Sequence, residues 1–292
     1  MKDYRESING FEKLNGMDIY AQLCGLLKII DDSNLCDLYK NVNSFDSEEV
    51  AEWLCSHYDI FRIALCRNAV ARKTYSITHN EDFHDENTDQ REKILAKAIY
   101  KIWGPGKRPH RKFGHVIGYE IPLEPTKADL EEDFSRGSEC EPYSKCKCER
   151  RNRDRIYPRG RIDLVAIRNE NLFILELKKD RSEETYLRCL LEAYTYLMSI
   201  KRIGDFKKDM KKQSGQRTKI KKIVICPLVF ECETCRPYNE YYTRGRYVKT
   251  FEEMIKKDDT IGKIDVDFYA FKNEELSSIN KEYETLMQSS QK

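Results

Sequence analysis

The chain has 292 residues, 35% of them charged, with 52 Lys+Arg against 50 Asp+Glu and a formal net charge of +2. That length fits one large domain or two smaller ones. The polar opening MKDYRESING and the lack of any run of 18 apolar residues leave neither a membrane span nor a secretory signal to be expected. A cytoplasmic location is therefore expected, in which the 11 cysteines serve as thiols or metal ligands rather than disulfides.

The near-neutral total hides an asymmetry. Residues 1–89 carry 9 Lys+Arg and 17 Asp+Glu, a net of −8, which leaves +10 for residues 90–292. The acidic part reads as a helical N-terminal region over 1–80, with amphipathic patterns at 17–30, 47–57 and 59–72. Ser47 followed by Glu48 and Glu49 favours a helix start there, because negative charge suits a helix N-terminus. The polar stretch 80–87 marks the boundary. A helix over 88–103 follows, with Ile94, Leu95, Ala98, Ile99 and Ile102 at helical spacing and Gly104-Pro105-Gly106 ending it. Lys107, Arg108, Arg111 and Lys112 form a first basic cluster, and HVIGYEIPL over 115–123 reads as a strand.

Residues 145–161 hold eight basic side chains against Glu149 and Asp154. After them come two apolar runs, 160–167 and 172–178, joined by the polar turn Arg168-Asn169-Glu170-Asn171, which together predict a β-hairpin. The runs are apolar almost throughout, the pattern of strands buried on both faces. Into them the sequence places Asp163, Glu176 and Lys178. Glu176 and Lys178 are two apart and share a face of a strand, with Asp163 beside them on the partner strand. Buried charges are costly unless paired or bound to a metal, so two carboxylates and a lysine converging here point to a divalent-cation site. A helix over 183–200 carries Leu187, Leu190, Leu191, Tyr194 and Leu197, and residues 201–222 hold ten basic side chains against Asp205 and Asp209. KIVICPLVF over 222–230 is a further strand, VDFYAF over 266–271 an edge strand, and 273–292 a short exposed helix with a frayed tail.

Asp163, twelve residues, then Glu176-Leu177-Lys178 resembles the D…(D/E)xK signature of the PD-(D/E)xK nuclease superfamily, with Ile162 where the usual proline stands. The resemblance implies an α/β fold with a restriction-endonuclease-like αβββαβ core and a central mixed sheet over 88–272. It further implies a Mg²⁺- or Mn²⁺-dependent deoxyribonuclease. Asp163, Glu176 and the Leu177 carbonyl would bind the ion, a hard cation that takes oxygen ligands. Lys178 would orient or deprotonate the attacking water or neutralise the phosphate. Glu92, on the inward face of the first core helix, would be a further catalytic acid; a capping box over 89–92 is its local alternative. Some members carry Gln-x-x-x-Tyr on the helix after the ExK strand, where this chain has Glu192-x-x-x-Tyr196 preceded by Arg188. These three residues, with Arg150, Arg151, Arg159 and Arg161 of the basic run, are the candidate DNA contacts, because basic clusters flanking a carboxylate site suit a polyanion. An Arg188–Glu192 pair on a solvated helix face gives the same pattern.

The cysteines raise a separate expectation. Cys146-Lys147-Cys148 and Cys232-Glu233-Thr234-Cys235 supply four thiolates in two close pairs, able to close a structural Zn²⁺ site between loops. The readings in competition are thus a DNA-cleaving enzyme whose helical N-terminal region sets target choice or forms a homodimer, a non-catalytic nucleic-acid-binding protein on the same fold, and a zinc-stabilised regulatory module.

Overall fold

The computed structural model describes residues 47–67, 75, 90–123, 161–215, 217 and 219–290. Helices α1 (Ser47–Ser56) and α2 (Tyr58–Arg67) come first, and α1 starts at the expected Ser47 with Glu48 and Glu49 in its first turn. Helix α3 (Gln90–Trp103) leads to an antiparallel meander of β1 (His115–Pro122), β2 (Arg161–Arg168) and β3 (Asn171–Leu177). Asn169 and Glu170 form the hairpin turn, and Asn169 takes the left-handed backbone (φ 56°) that such a turn requires and that asparagine tolerates. Gly114, at φ 79°, precedes β1 where any Cβ would strike the Ile167 carbonyl, so only glycine fits.

Two helices, α4 (Tyr186–Met198) and α5 (Ile203–Ser214), carry the chain over to β4 (Lys222–Phe230), which lies parallel to β3. Two more, α6 (Arg236–Thr243) and α7 (Arg246–Lys257), lead to the short strands β5 (Ile264–Val266) and β6 (Tyr269–Phe271), both parallel to β4. Helix α8 (Asn273–Ser290) closes the described chain. The result is an α/β fold around a mixed sheet of order β1-β2-β3-β4-β5, with β6 also paired to β4.

Two expectations change here, and the basic stretch 201–222 acquires a structure. The edge strand is split: Asp267 turns its side chain onto the Phe268 N–H (2.8 Å), and pairing with β4 resumes only at Tyr269. The basic stretch 201–222 contains helix α5, whose Phe206 and Met210, one turn apart, are enough to anchor it to the core. The segment after 273 is a long packed helix rather than a short exposed one, because Ile279 and Leu286 are buried against the α3 side of the molecule.

Helices cover both faces of the sheet. Leu172 and Ile174 of β3 pack with α4, α2, α1 and α7 residues, whereas Phe173, Leu175 and Leu177 pack with α3 and Ile279 of α8. Helix α4 is buried almost all round, so it is held by apolar packing rather than by surface charge. The hydroxyl oxygen of Thr185, its N-cap, accepts from Arg188 N–H (3.1 Å), and caps of this kind contribute about 1 kcal/mol. The described part of the N-terminal region shares this core, since Val50, Ala51, Leu54 and Phe61 are buried within it.

Candidate active site

Strand parity places the ionisable residues. Glu176 follows Leu172 and Ile174, so it faces α4, and Lys178 follows Glu176. The β2–β3 ladder ends at Leu164↔Leu175, and beyond that pair the strands separate. In the gap Asp163 supplies the missing acceptor: its Oδ2 takes the Leu177 N–H at 2.8 Å. The Leu177 carbonyl leaves the strand on that same side.

Lys178 is only 5% exposed and reaches three carboxylates: Glu176 Oε1 at 2.8 Å, Glu184 Oε2 at 2.9 Å and Glu192 Oε2 at 2.5 Å. Arg188 adds a second cation, 3.3 Å from Glu184 Oε1 and 3.6 Å from Glu192 Oε1. Glu92 reaches over from α3, where its Oε1 accepts from Lys179 N–H at 3.3 Å; Asp89, the other end of the capping-box alternative, lies outside the described residues. These contacts gather five carboxylates around two cations, Lys178 and Arg188.

The electrostatics follow from that imbalance. Burial pushes the Asp163 carboxyl well above the usual range, with Lys178 opposing and the charges of Glu120 and Glu92 adding. Burial and then repulsion from Asp163 raise Glu176 well above its ordinary value. Glu192 is held low: burial would raise it, but the charges of Lys178 and Arg188 prevail. Burial alone would depress the Lys178 ammonium, yet Glu176, Glu192 and Glu184 hold it well above the ordinary lysine range, so it stays a cation. Tyr196, on the same helix, is pushed far up by burial and by Glu176, Glu192 and Asp163, so its hydroxyl keeps its proton.

One acceptor is left over. Glu176 is 3% exposed; its Oε2 takes no donor among the described residues, and its raised carboxyl shares a side-chain hydrogen bond with Glu192, which raises Glu176 and lowers Glu192. A buried carboxyl of this kind is satisfied by keeping its proton toward a neighbouring carboxylate or by a hard cation. No group of three or more His, Cys, Asp or Glu side chains among the described residues is arranged to hold a metal.

Of the expected site residues, the structure brings together Asp163, Glu176, Leu177, Lys178, Glu92, Arg188, Glu192 and Tyr196, and it sets Arg161 at the start of β2, two residues before Asp163. Glu192 is 8% exposed and engaged by Lys178, which places it inside the ion-pair cluster. Glu184 and Glu120 belong to the neighbourhood without having been expected there. Glu184 lies in the loop before α4, four residues before Arg188, a spacing that also pairs Arg188 with Glu192. Arg150, Arg151, Arg159, Cys146 and Cys148 lie outside the described residues. Cys232 and Cys235 bound a tight turn in which Cys235 N–H donates to the Cys232 carbonyl (3.0 Å); Cys235 is buried, and the Cys232 thiol meets the Thr234 hydroxyl (3.0 Å).

Comparison with protein-family models, with curated proteins and with solved structures finds no match. Among the described residues no helix is long and apolar enough to cross a membrane.

Proposed function

We propose that this protein is a divalent-metal-dependent deoxyribonuclease on a restriction-endonuclease-like αβββαβ core, with α3, β1, β2, β3, α4 and β4 in the corresponding order. The observation that carries the reading is the split between β2 and β3. There Asp163 accepts from the Leu177 N–H beside Glu176, and burial together with the charge of Asp163 raises the Glu176 carboxyl.

Asp163, Glu176 and the Leu177 carbonyl would hold Mg²⁺ or Mn²⁺. A bound divalent cation supplies Lewis-acid polarisation of a phosphoryl oxygen and lowers the pKa of a neighbouring water. The chain does the rest. Asp163 is fixed by the Leu177 N–H, so its second oxygen has a defined direction. Lys178, held as an ammonium by its carboxylates, is a positioned cation that would neutralise a phosphate or orient the water. Tyr196 keeps its hydroxyl proton as a donor toward the substrate, and Arg161 and Arg188 lie at the same end of the sheet to meet the DNA backbone.

One observation favours a second reading, a nucleic-acid-binding protein without catalysis. Lys178 donates to Glu192 and lies in ion-pair range of Glu176 and Glu184, which describes a structural ion cluster equally well. Under the catalytic reading Lys178 must exchange one of these partners for substrate or water.

The test is cleavage of supercoiled and linear DNA by the full chain in Mg²⁺ or EDTA, with Asp163→Asn and Glu176→Gln alongside. Loss of metal-dependent cleavage in both variants, with folding intact, supports the enzyme. Cleavage at the wild-type level by either variant removes its ligand role, and DNA binding without any cleavage selects the second reading.

A further inference from the structure

The opposite end of the β3–β4 pair is as basic as the candidate site is acidic. The main-chain N–H groups of Lys221 and Lys222 reach the Glu170 carbonyl in the β2–β3 turn (2.9 and 3.3 Å), which fixes the entry to β4 at that end. Asn171 and Glu176 are five residues apart on β3, so the turn lies about 17 Å from the site at ~3.3 Å per residue. Helix α5 packs here through Phe206 and Met210 and turns its lysines outward. Lys207 Nζ approaches Gly262, next to Lys263 at the entry to β5. Lys219 stands close enough that its charge, after burial, depresses the Lys207 ammonium.

Lys221 and Lys222 have acidic partners, Glu170 (2.7 Å) and Asp265 (2.8 Å). Lys207, Lys208, Lys211, Lys212, Lys219 and Lys263 have no ion pair with any described residue. Lys208, Lys212, Lys219 and Lys263 are exposed. On α5 the pairs 207/208 and 211/212 repeat after one turn, about 6 Å along the axis at ~1.5 Å per residue.

We propose that this lysine face, built by α5 and the entries to β4 and β5, is a second nucleic-acid contact that grips the phosphate backbone of duplex DNA away from the candidate active site. The chemistry favours that occupant over others. Lysine ammonium groups are point charges that bind phosphates without reading bases. Single strands are held by aromatic stacking as well as charge, and the exposed large apolar residue of the described chain, Tyr242, is on α6, outside this face. A membrane surface takes an amphipathic helix by its apolar side, and the apolar side of α5 is already buried in the core. The inference does not rest on the cleavage reading, because a backbone contact requires no catalysis.

Equilibrium binding of a fluorescent duplex to the full chain in EDTA, measured across a salt series, tests it. Lys208→Ala/Lys212→Ala/Lys219→Ala should weaken binding at least about tenfold at low salt and flatten the log K against log salt slope by roughly 2–3, at ~0.9 per lost phosphate contact. The control Lys249→Ala/Lys272→Ala/Lys281→Ala removes three exposed lysines elsewhere and should leave the slope unchanged. Equal losses in both triple variants, no duplex binding by the wild type, or equal displacement by polyglutamate of matched charge would each overturn the proposal. Metal-dependent cleavage alongside an unchanged slope in the first variant would remove this surface and leave the nuclease reading standing.

Discussion

The two ends of the β3–β4 pair handle charge in opposite ways. At the carboxyl end, Glu176, Lys178 and Glu192 are each less than 9% exposed and fixed in short ion pairs, so every charge there depends on its neighbour. At the amino end, α5 keeps only Phe206 and Met210 inside and leaves its lysines to solvent. Water makes the second arrangement nearly neutral in energy, whereas the first survives only while its partners remain. A charge that folds inward at the junction of two strands is therefore the more informative one about function. A charge run on a helix surface informs through its pattern and its surplus.

Removing Lys178 should break this contrast most strongly. Lys178→Ala strands Glu176, Glu184 and Glu192, and loss of one member of a buried charge set costs about 3–5 kcal/mol. Denaturant unfolding should show that loss at pH 7, so this variant does not give a clean test of catalysis.

Asp163→Asn should act in the other direction without metal. The folded-state proton affinities of Asp163 and Glu176 are raised, so the native state binds more protons than the unfolded chain above about pH 4. Their contribution to stability is present at low pH and is lost as pH rises through the raised values. Thermal melts in EDTA between pH 5 and 9 should show a decline for the wild type that Asp163→Asn flattens, by about 1 kcal/mol or more at the alkaline end. Mg²⁺ should restore the wild type there and leave the variant little changed.

A smaller effect is expected at Glu48, whose carboxylate accepts from the N–H groups of Tyr247 and Val248 (2.9 and 3.2 Å) at the start of α7. Glu48→Ala should cost about 1–2 kcal/mol by removing this cap, read as a fall in the denaturation midpoint. Smallest of all, Lys208→Ala/Lys212→Ala/Lys219→Ala should change stability by no more than about 0.5 kcal/mol in the same measurement. A large loss there would show that the basic end is structural after all.

The central hairpin was legible because both of its signals are local. Apolar runs around a short polar turn fix the strands, and a spacing of two fixes the shared face of Glu176 and Lys178. Strand β4 keeps its expected bounds for the same reason, nine residues of nearly unbroken apolar pattern. Helix α4 starts later than its pattern implies because the Thr185 side chain caps it there. Helix α7 left a signal that the reading passed over: Val248, Phe251 and Ile255 repeat at spacings of three and four. Glu184 left only its i, i+4 spacing to Arg188, and its meeting with Lys178 depends on α4 docking on the sheet. The end of the β2–β3 ladder is invisible in sequence, because Asp163 replaces a backbone acceptor only when the two strands are already side by side.

The cap from Glu48 has a consequence for how the molecule is made. Its donors, the Tyr247 and Val248 N–H groups, lie 199 and 200 residues further along the chain. At a synthesis rate of about 5–20 residues per second, α1 leaves the ribosome on the order of 10–40 s before α7 exists to receive it. For that interval the apolar side of Val50, Ala51 and Leu54 has no α7 to bury it. A translating ribosome thus carries an acidic helix waiting for its seat, and native closure comes only after almost the whole sheet has been made.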